Sequence, residues 1–234
     1  MTAGGASTDS GWLAGRQVWA LGIGLDVLSG LAAGLRDHGA KVTEIGDDLE
    51  IPDAAIEELA ETAGPPDLVL VSVLPKESVR LAAMADLAAA DWTAIACEPL
   101  RSLMNLLRSI GPHIKGRGVA VVLVGPSLSL VGCPQLVALT TLLEGQRGLM
   151  KSVARQWGDQ GVSLNWIAVA PRALSPVFEE APLAAKPDAV SVALGRPLDP
   201  RTEIAPIIGF LGSPAGRAMT GATLTLDGGE WMVP

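Results

Sequence analysis

QVWALGIGLDVLSGLAAGLRDHGAKVTEI, residues 17–45, decides the fold. Gln17 to Leu21 is a short apolar run ending at Gly22, a helical stretch follows to His38, and after Gly39 the run Lys41 to Ile45 is again strand-like. Strand, helix and strand within one short stretch form a βαβ opening, and a helical crossover between two strands of one sheet makes them parallel.

Working outward, the same alternation continues. Ile51 to Ala63 predicts an acidic amphipathic helix stopped by Gly64-Pro65-Pro66, and Asp67 to Leu74 (DLVLVSVL) has the unbroken apolar character of a strand buried on both faces. Leu100 to Ile110 reads as a helix ending at Gly111-Pro112, Val119 to Val124 as a buried strand, and Leu136 to Trp157 as a long helix closing at Gly158. Ser163 to Ala168 is a strand, Glu203 to Leu211 a short helix, and Thr223 to Leu226 a last strand ended by Asp227-Gly228-Gly229. The prediction is an α/β fold, a single-domain, doubly wound parallel sheet of Rossmann-like type with helices on both faces. The domain is expected over 13–234, after a flexible tail of small and polar residues at 1–12, with one irregular proline-rich segment at 174–200.

Composition narrows the function classes. With 49% hydrophobic and 18% charged residues among 234, the chain is not a disordered one. Acidic residues number 25 against 17 basic, the net charge is -8, and no basic run occurs, which argues against nucleic-acid binding. Cys97 and Cys133 sit among apolar neighbours without CxxC spacing, and His38 and His113 are the only histidines, so neither a disulfide framework nor a metal site is expected. No basic region followed by an apolar block opens the chain, which reads as cytoplasmic. Gly118 to Leu143 lacks charge over a length that could span a membrane, but Gly125, Pro126, Gly132 and Pro134 interrupt it, and a strand, a loop and a buried helix start are the reading.

The C-terminal string EIAPIIGFLGSPAGRAMTGATLTLDGG, Glu203 to Gly229, closely resembles the end of the short-chain dehydrogenase/reductase family, whose pattern there is EIA, FL-x-S, TG and DGG. Leu13-Ala14-Gly15-Arg16, Gly39-Ala40-Lys41-Val42 and Gly161-Val162-Ser163-Leu164-Asn165 match the family in its order, so the resemblance covers nearly the whole chain. It implies nicotinamide-dependent oxidation of alcohols or reduction of carbonyls, to be carried over residue by residue.

That transfer fails at each functional position. The family's phosphate loop, TGxxxGxG, falls on Leu21 to Leu28: Gly22 is kept, Gly24 lies between, and Asp26 and Leu28 replace the other two glycines. A carboxylate ~4 Å from a phosphate opposes binding by about 4 kcal/mol at an effective dielectric of ~20. Gly22-x-Gly24 is expected to be a strand-to-helix turn with Asp26 capping the helix, and no cofactor is expected to bind. The Asn-Asn-Ala-Gly motif falls on Val71 to Leu74, and the ribose-binding acid on Gly46, beside Asp47 and Asp48. The resemblance puts the catalytic Tyr on Leu139, the Lys on Leu143, the Ser on Pro126 and the Asn on Pro99, and the chain contains no Tyr at all. Ser127, Ser129, Cys133, Thr140, Thr141 and Glu144 lie nearby without a histidine to activate them; His38 and His113 read as surface caps at helix ends, and Lys151 and Arg155 as exposed helical positions.

The expected function is a catalytically degenerate homologue, a non-catalytic subunit assembling with an active short-chain dehydrogenase paralogue, one acting on a hydroxyacyl or CoA-thioester substrate. The family packs helices equivalent to Ser102 to Ile110 and Leu136 to Trp157 between subunits, so a hetero-oligomer or a homo-oligomer is expected, with 174–200 and Trp231 to Pro234 shaping the partner's pocket. Two alternatives stay open: an NAD- or NADP-dependent oxidoreductase with an altered site, and a stand-alone ligand-binding or regulatory protein.

Overall fold

A computed structural model describes residues 11–180 and 192–232. Six strands form one wholly parallel sheet: β1 (Gln17–Gly24), β2 (Lys41–Asp47), β3 (Leu68–Leu74), β4 (Ala120–Pro126), β5 (Ser163–Val169) and β6 (Thr223–Leu226), in the order β2-β1-β3-β4-β5-β6. Helices α1 (Ser29–Asp37), α2 (Asp53–Ala63), α3 (Ala89–Trp92), α4 (Glu98–Ile114), α5 (Val137–Trp157), α6 (Pro171–Leu174) and α7 (Ala205–Gly212) connect and cover it. This is the predicted doubly wound arrangement. Every residue of β3, β4 and β5 is buried, which is why each reads as an unbroken apolar run, whereas β2 lies at the edge and is largely exposed.

Several boundaries differ from the sequence reading, for local reasons. Strand β1 does not stop at Gly22 but runs to Gly24, with Gly22 paired to Gly46 on one side and Ser72 on the other. Helix α2 begins at Asp53 rather than Ile51 because Pro52 holds extended backbone as its N-cap. Helix α4 runs through Gly111-Pro112 to Ile114. Pro112 cannot make the bond to the Arg108 carbonyl, and the helix ends two residues later at Ile114. Two turns are widened to π geometry, Thr93–Cys97 and Pro200–Ile204, and each lies just ahead of a proline, Pro99 and Pro206. A proline ring presses on the carbonyl four residues back; a wider turn, with the Glu98 amide reaching Thr93 and the Ala205 amide reaching Pro200, absorbs the misfit.

Trp12, expected in the tail, packs on α7, where a Cβ at Gly212 would lie 2.4 Å from its ring. The segment expected to be irregular, 174–200, begins at the end of the short helix Pro171–Leu174 and contains the 3-10 turn Pro176–Glu180, while 181–191 lies outside the described residues, as do 1–10 and 233–234. His38 caps α1 as expected, but His113 is no surface cap: it lies within α4, its ring centroid 5.7 Å from that of Trp19. Cys133 is buried and Cys97 is exposed, so apolar neighbours in sequence do not place the latter in the core.

Candidate functional site

In an open α/β sheet, ligands bind outside the carboxyl ends of the strands, where neighbouring connections leave in opposite directions. Here that point lies between β1 and β3, and a cleft of about 290 Å³ opens beside it, lined by Gly22, Gly24, Asp26, Leu28, Gly46 and Asp47 among others. The structure therefore brings Gly22, Gly24, Asp26 and Leu28 together with the end of β2.

The chain following β1 is sealed against β3. Gly24 holds φ +91°, and a Cβ there would lie 1.9 Å from the Leu74 carbonyl oxygen. The next amide, Leu25, donates to that oxygen at 2.7 Å. Gly24 is thus required by the close approach of two backbones. The Asp26 carboxylate accepts from the amides of Leu28 at 3.3 Å and Ser29 at 3.1 Å, so it occupies the first free donors of α1. Those amides are what a helix N-terminus offers a phosphate. Leu28 is buried, 5% exposed, with its Cδ1 3.6 Å from where a Gly22 Cβ would stand.

At the end of β2, Asp47 accepts from the amides of Leu49 at 2.9 Å and Glu50 at 3.3 Å, and these bonds hold its carboxyl below the usual range. Asp48 pairs with Lys76 at 2.6 Å. Both carboxylates are engaged by the protein itself, and with Glu44 and Asp26 they make the cleft wall acidic. The residues present do not fit a dinucleotide pyrophosphate: the amides are taken, the backbone is closed and the charge has the wrong sign. Among the described residues no group of three His, Cys, Asp or Glu could hold a metal.

Of the residues onto which the resemblance places the catalytic set, Leu139 and Leu143 on α5 are both 0% exposed, Pro126 ends β4, and Pro99 is buried in the first turn of α4. The space beside Leu139 is a cavity of about 10 Å³, about that of one water. Sequence reasoning misses Gln146, buried on α5, whose side-chain amide donates to the Val73 carbonyl at 2.8 Å and ties that helix to the end of β3. Among the described residues five buried serine hydroxyls have no hydrogen-bond partner; Ser163 starts β5, and the other four, Ser72, Ser78, Ser127 and Ser129, lie at or just past the carboxyl ends of β3 and β4. The sequence points only to Ser127 and Ser129 among them, since burial of a lone serine leaves no signal there. Lys151 and Arg155 are exposed, as expected. No helix among the described residues is long and apolar enough to cross a membrane.

The family model described as enoyl-(acyl carrier protein) reductase matches residues 18–230. Among curated proteins, "Protein MoaE" of Klebsiella aerogenes is 34% identical over 145 residues, 57% of this chain and 56% of that protein. The 3-oxoacyl-[acyl-carrier-protein] reductase FabG of Thermotoga maritima is 30% identical over 142 residues, 59% of this chain and 56% of that protein. The matched stretch spans about half the length of these relatives. A solved gluconate 5-dehydrogenase from Burkholderia cenocepacia J2315, in complex with NADP and tartrate, superimposes with a TM-score of 0.79 at 20% identity, covering 96% of this chain and 98% of that one.

Proposed function

We propose, from the premise that the chain belongs to the short-chain dehydrogenase/reductase family, that it is a catalytically degenerate member, a non-catalytic subunit that assembles with an active dehydrogenase paralogue. The observation that carries this reading is the pair Leu139 and Leu143, fully buried on α5 where the family places its Tyr and Lys, in a chain without tyrosine. General acid/base catalysis typically contributes ~10² to 10⁴ in rate, and among the described residues the cavity beside Leu139 is only about 10 Å³, too small for a substrate. The sealed loop at Gly24 and the self-capping Asp26 support the same reading on the cofactor side.

Among the described residues a six-stranded parallel sheet and its helices surround that site, which suits a subunit kept for its shape. Names of the relatives, the reductases acting on 3-oxoacyl groups among them, point to a partner that handles acyl thioesters. Calorimetric titration of the folded protein with NADH and NADPH is the first test, with no binding heat expected at millimolar ligand. Saturable binding would instead make the chain an oxidoreductase with an altered site. Co-expression with an adjacent encoded dehydrogenase tests the partner, and separate elution of the two chains would remove it.

A further inference from the structure

Among the described residues β2 is paired with β1 along its whole length and with nothing on its other side. Such an edge presents a row of N–H and C=O groups that can pair with another chain. The Lys41 amide donates to the Arg16 carbonyl, toward β1. Backbone groups alternate in direction along a strand in a parallel ladder, so Thr43, Ile45 and Asp47 turn theirs to β1 as well, and Val42, Glu44 and Gly46 turn theirs outward.

Only one of the outward groups is covered by a side chain. The Arg36 guanidinium donates to the Val42 carbonyl at 3.0 Å and to the Glu44 carboxylate at 2.6 Å. Among the described residues no side chain reaches the outward amides of Val42, Glu44 and Gly46. β2 contains no proline and no bulge breaks its register with β1, so two common devices that blunt an edge are missing.

The charges on this edge are of both signs and symmetrically placed: Lys41 opens the strand, Asp47 closes it and Glu44 lies midway, all three exposed. In an antiparallel pairing with a second β2, centred on Glu44, Lys41 of each copy stands opposite Asp47 of the other on one face of the sheet, with half-buried Thr43 opposite half-buried Ile45 between them. On the other face Val42 meets Gly46, whose missing side chain leaves room. The two Glu44 carboxylates meet at the centre, each with its own Arg36 beside it. A shift of register in either direction separates Lys41 from Asp47, so the charges select one alignment.

We propose that the outer edge of β2 is a self-recognition site: a second copy of this chain adds its own β2 antiparallel, Arg36 releases the Val42 carbonyl, and the two sheets become one. The inference does not rest on the subunit reading.

The full chain is tested at low ionic strength by analytical ultracentrifugation over a wide range of concentration, with amide hydrogen exchange at both extremes. Self-association is expected, and with it slower exchange at Glu44 and Gly46 as concentration rises, while the Thr43 and Ile45 amides, already bonded to β1, stay unchanged. Lys41→Asp and Asp47→Lys each set like charges opposite one another twice per pair of chains, and each should weaken self-association by about tenfold. An equimolar mixture of the two folded variants restores opposite charges at both positions and should associate as the wild type does. A wild type that stays monomeric throughout, association that leaves Glu44 and Gly46 exchange unchanged, or a mixture no better associated than its components would each overturn the proposal. The exchange measurement needs no variant, so it decides even where a substitution impairs folding, and none of these outcomes bears on the nucleotide titration.

Discussion

Gly24→Ala tests the seal between β1 and β3 directly. At φ +91° an L-residue costs about 1–2 kcal/mol from its own backbone. The new Cβ would stand 1.9 Å from the Leu74 oxygen, 2.6 Å from its carbon and 2.8 Å from the Pro75 Cα, all backbone atoms that cannot swing aside like the end of a side chain. The chains must part, and the Leu25 amide loses the Leu74 oxygen it meets at 2.7 Å. An unmade buried hydrogen bond adds about 1–3 kcal/mol. The sum is about 2–5 kcal/mol. Gly15 is the internal control: it holds φ +72° and a Cβ added there would have nothing within 4 Å, so Gly15→Ala carries only the backbone cost, about 1–2 kcal/mol. Urea unfolding of both variants, read by tryptophan fluorescence, is the assay. In a thermal scan Gly24→Ala should melt on the order of 10 °C below the wild type and Gly15→Ala only a few degrees below. If the two variants lose the same stability, within about 0.5 kcal/mol, the loop does not close on Leu74 and the argument that it excludes a pyrophosphate loses its main support.

Asp26→Ala should cost about 1 kcal/mol by uncapping α1, while Asp26→Ser, which keeps an acceptor, should cost less than half of that; neither should acquire NADH affinity by calorimetry, because the backbone stays closed. The double substitution Leu139→Tyr, Leu143→Lys should not create turnover and should destabilise by on the order of 3–5 kcal/mol, since both positions are 0% exposed and the ammonium would be buried without a partner; chemical denaturation measures it. Glu203 is held at about 2 by the Arg196 guanidinium and the Asp199 amide, well below its ordinary 4.5. Its contribution to stability is therefore present above about pH 4.5 and lost as pH falls toward about 2. Glu203→Gln should flatten that limb of the melting temperature against pH.

Local chemistry was legible in the sequence, and contacts between distant segments were not. The strands β3, β4 and β5 announce themselves because both faces are buried, and the capping by Asp26 follows from a carboxylate two and three residues ahead of the amides it meets. Gly22 and Gly24 read as a turn because glycine breaks strands on average. That β1 continues through both depends on Leu74, fifty residues on in the chain, approaching too closely for any Cβ. Pro99 likewise reads as a helix boundary, and the helix survives it only by widening at Thr93–Cys97. His113 could not be placed against Trp19 without knowing that α4 packs over the sheet. Ser78 is an ordinary residue in the string, and only burial sets it apart.

The residues that carry the family likeness are of a different physical kind from those that are lost. Asp227 is 3% exposed and its carboxylate accepts from the amides of Gly229 and Trp231, both at 2.9 Å. A Cβ at Gly228 would meet Val192 at 2.6 Å, and one at Gly229 would meet Ala193 at 2.8 Å. The Asp-Gly-Gly string thus closes a turn after β6 and lets residues 192–193 pack down on it, work that the fold needs whether or not chemistry occurs. Asn165, 0% exposed, similarly donates to the Met219 carbonyl at 2.7 Å and accepts from the Ala222 amide at 3.1 Å, fixing β6 beside β5. On the proposed reading, in which no substrate reacts at this site, the positions that the resemblance gives to the Tyr, Lys, Ser and Asn are free to be chosen for packing, as Leu139, Leu143, Pro126 and Pro99. Asp227→Ala should therefore be among the most destabilising changes in the chain, leaving two amides without their buried acceptor at about 1–3 kcal/mol each, whereas Leu143→Met should change stability by less than about 1.5 kcal/mol. Urea midpoints in the reverse order would mean that the Asp-Gly-Gly turn is ornamental to this fold and that the apolar pair on α5 is what the structure was kept for.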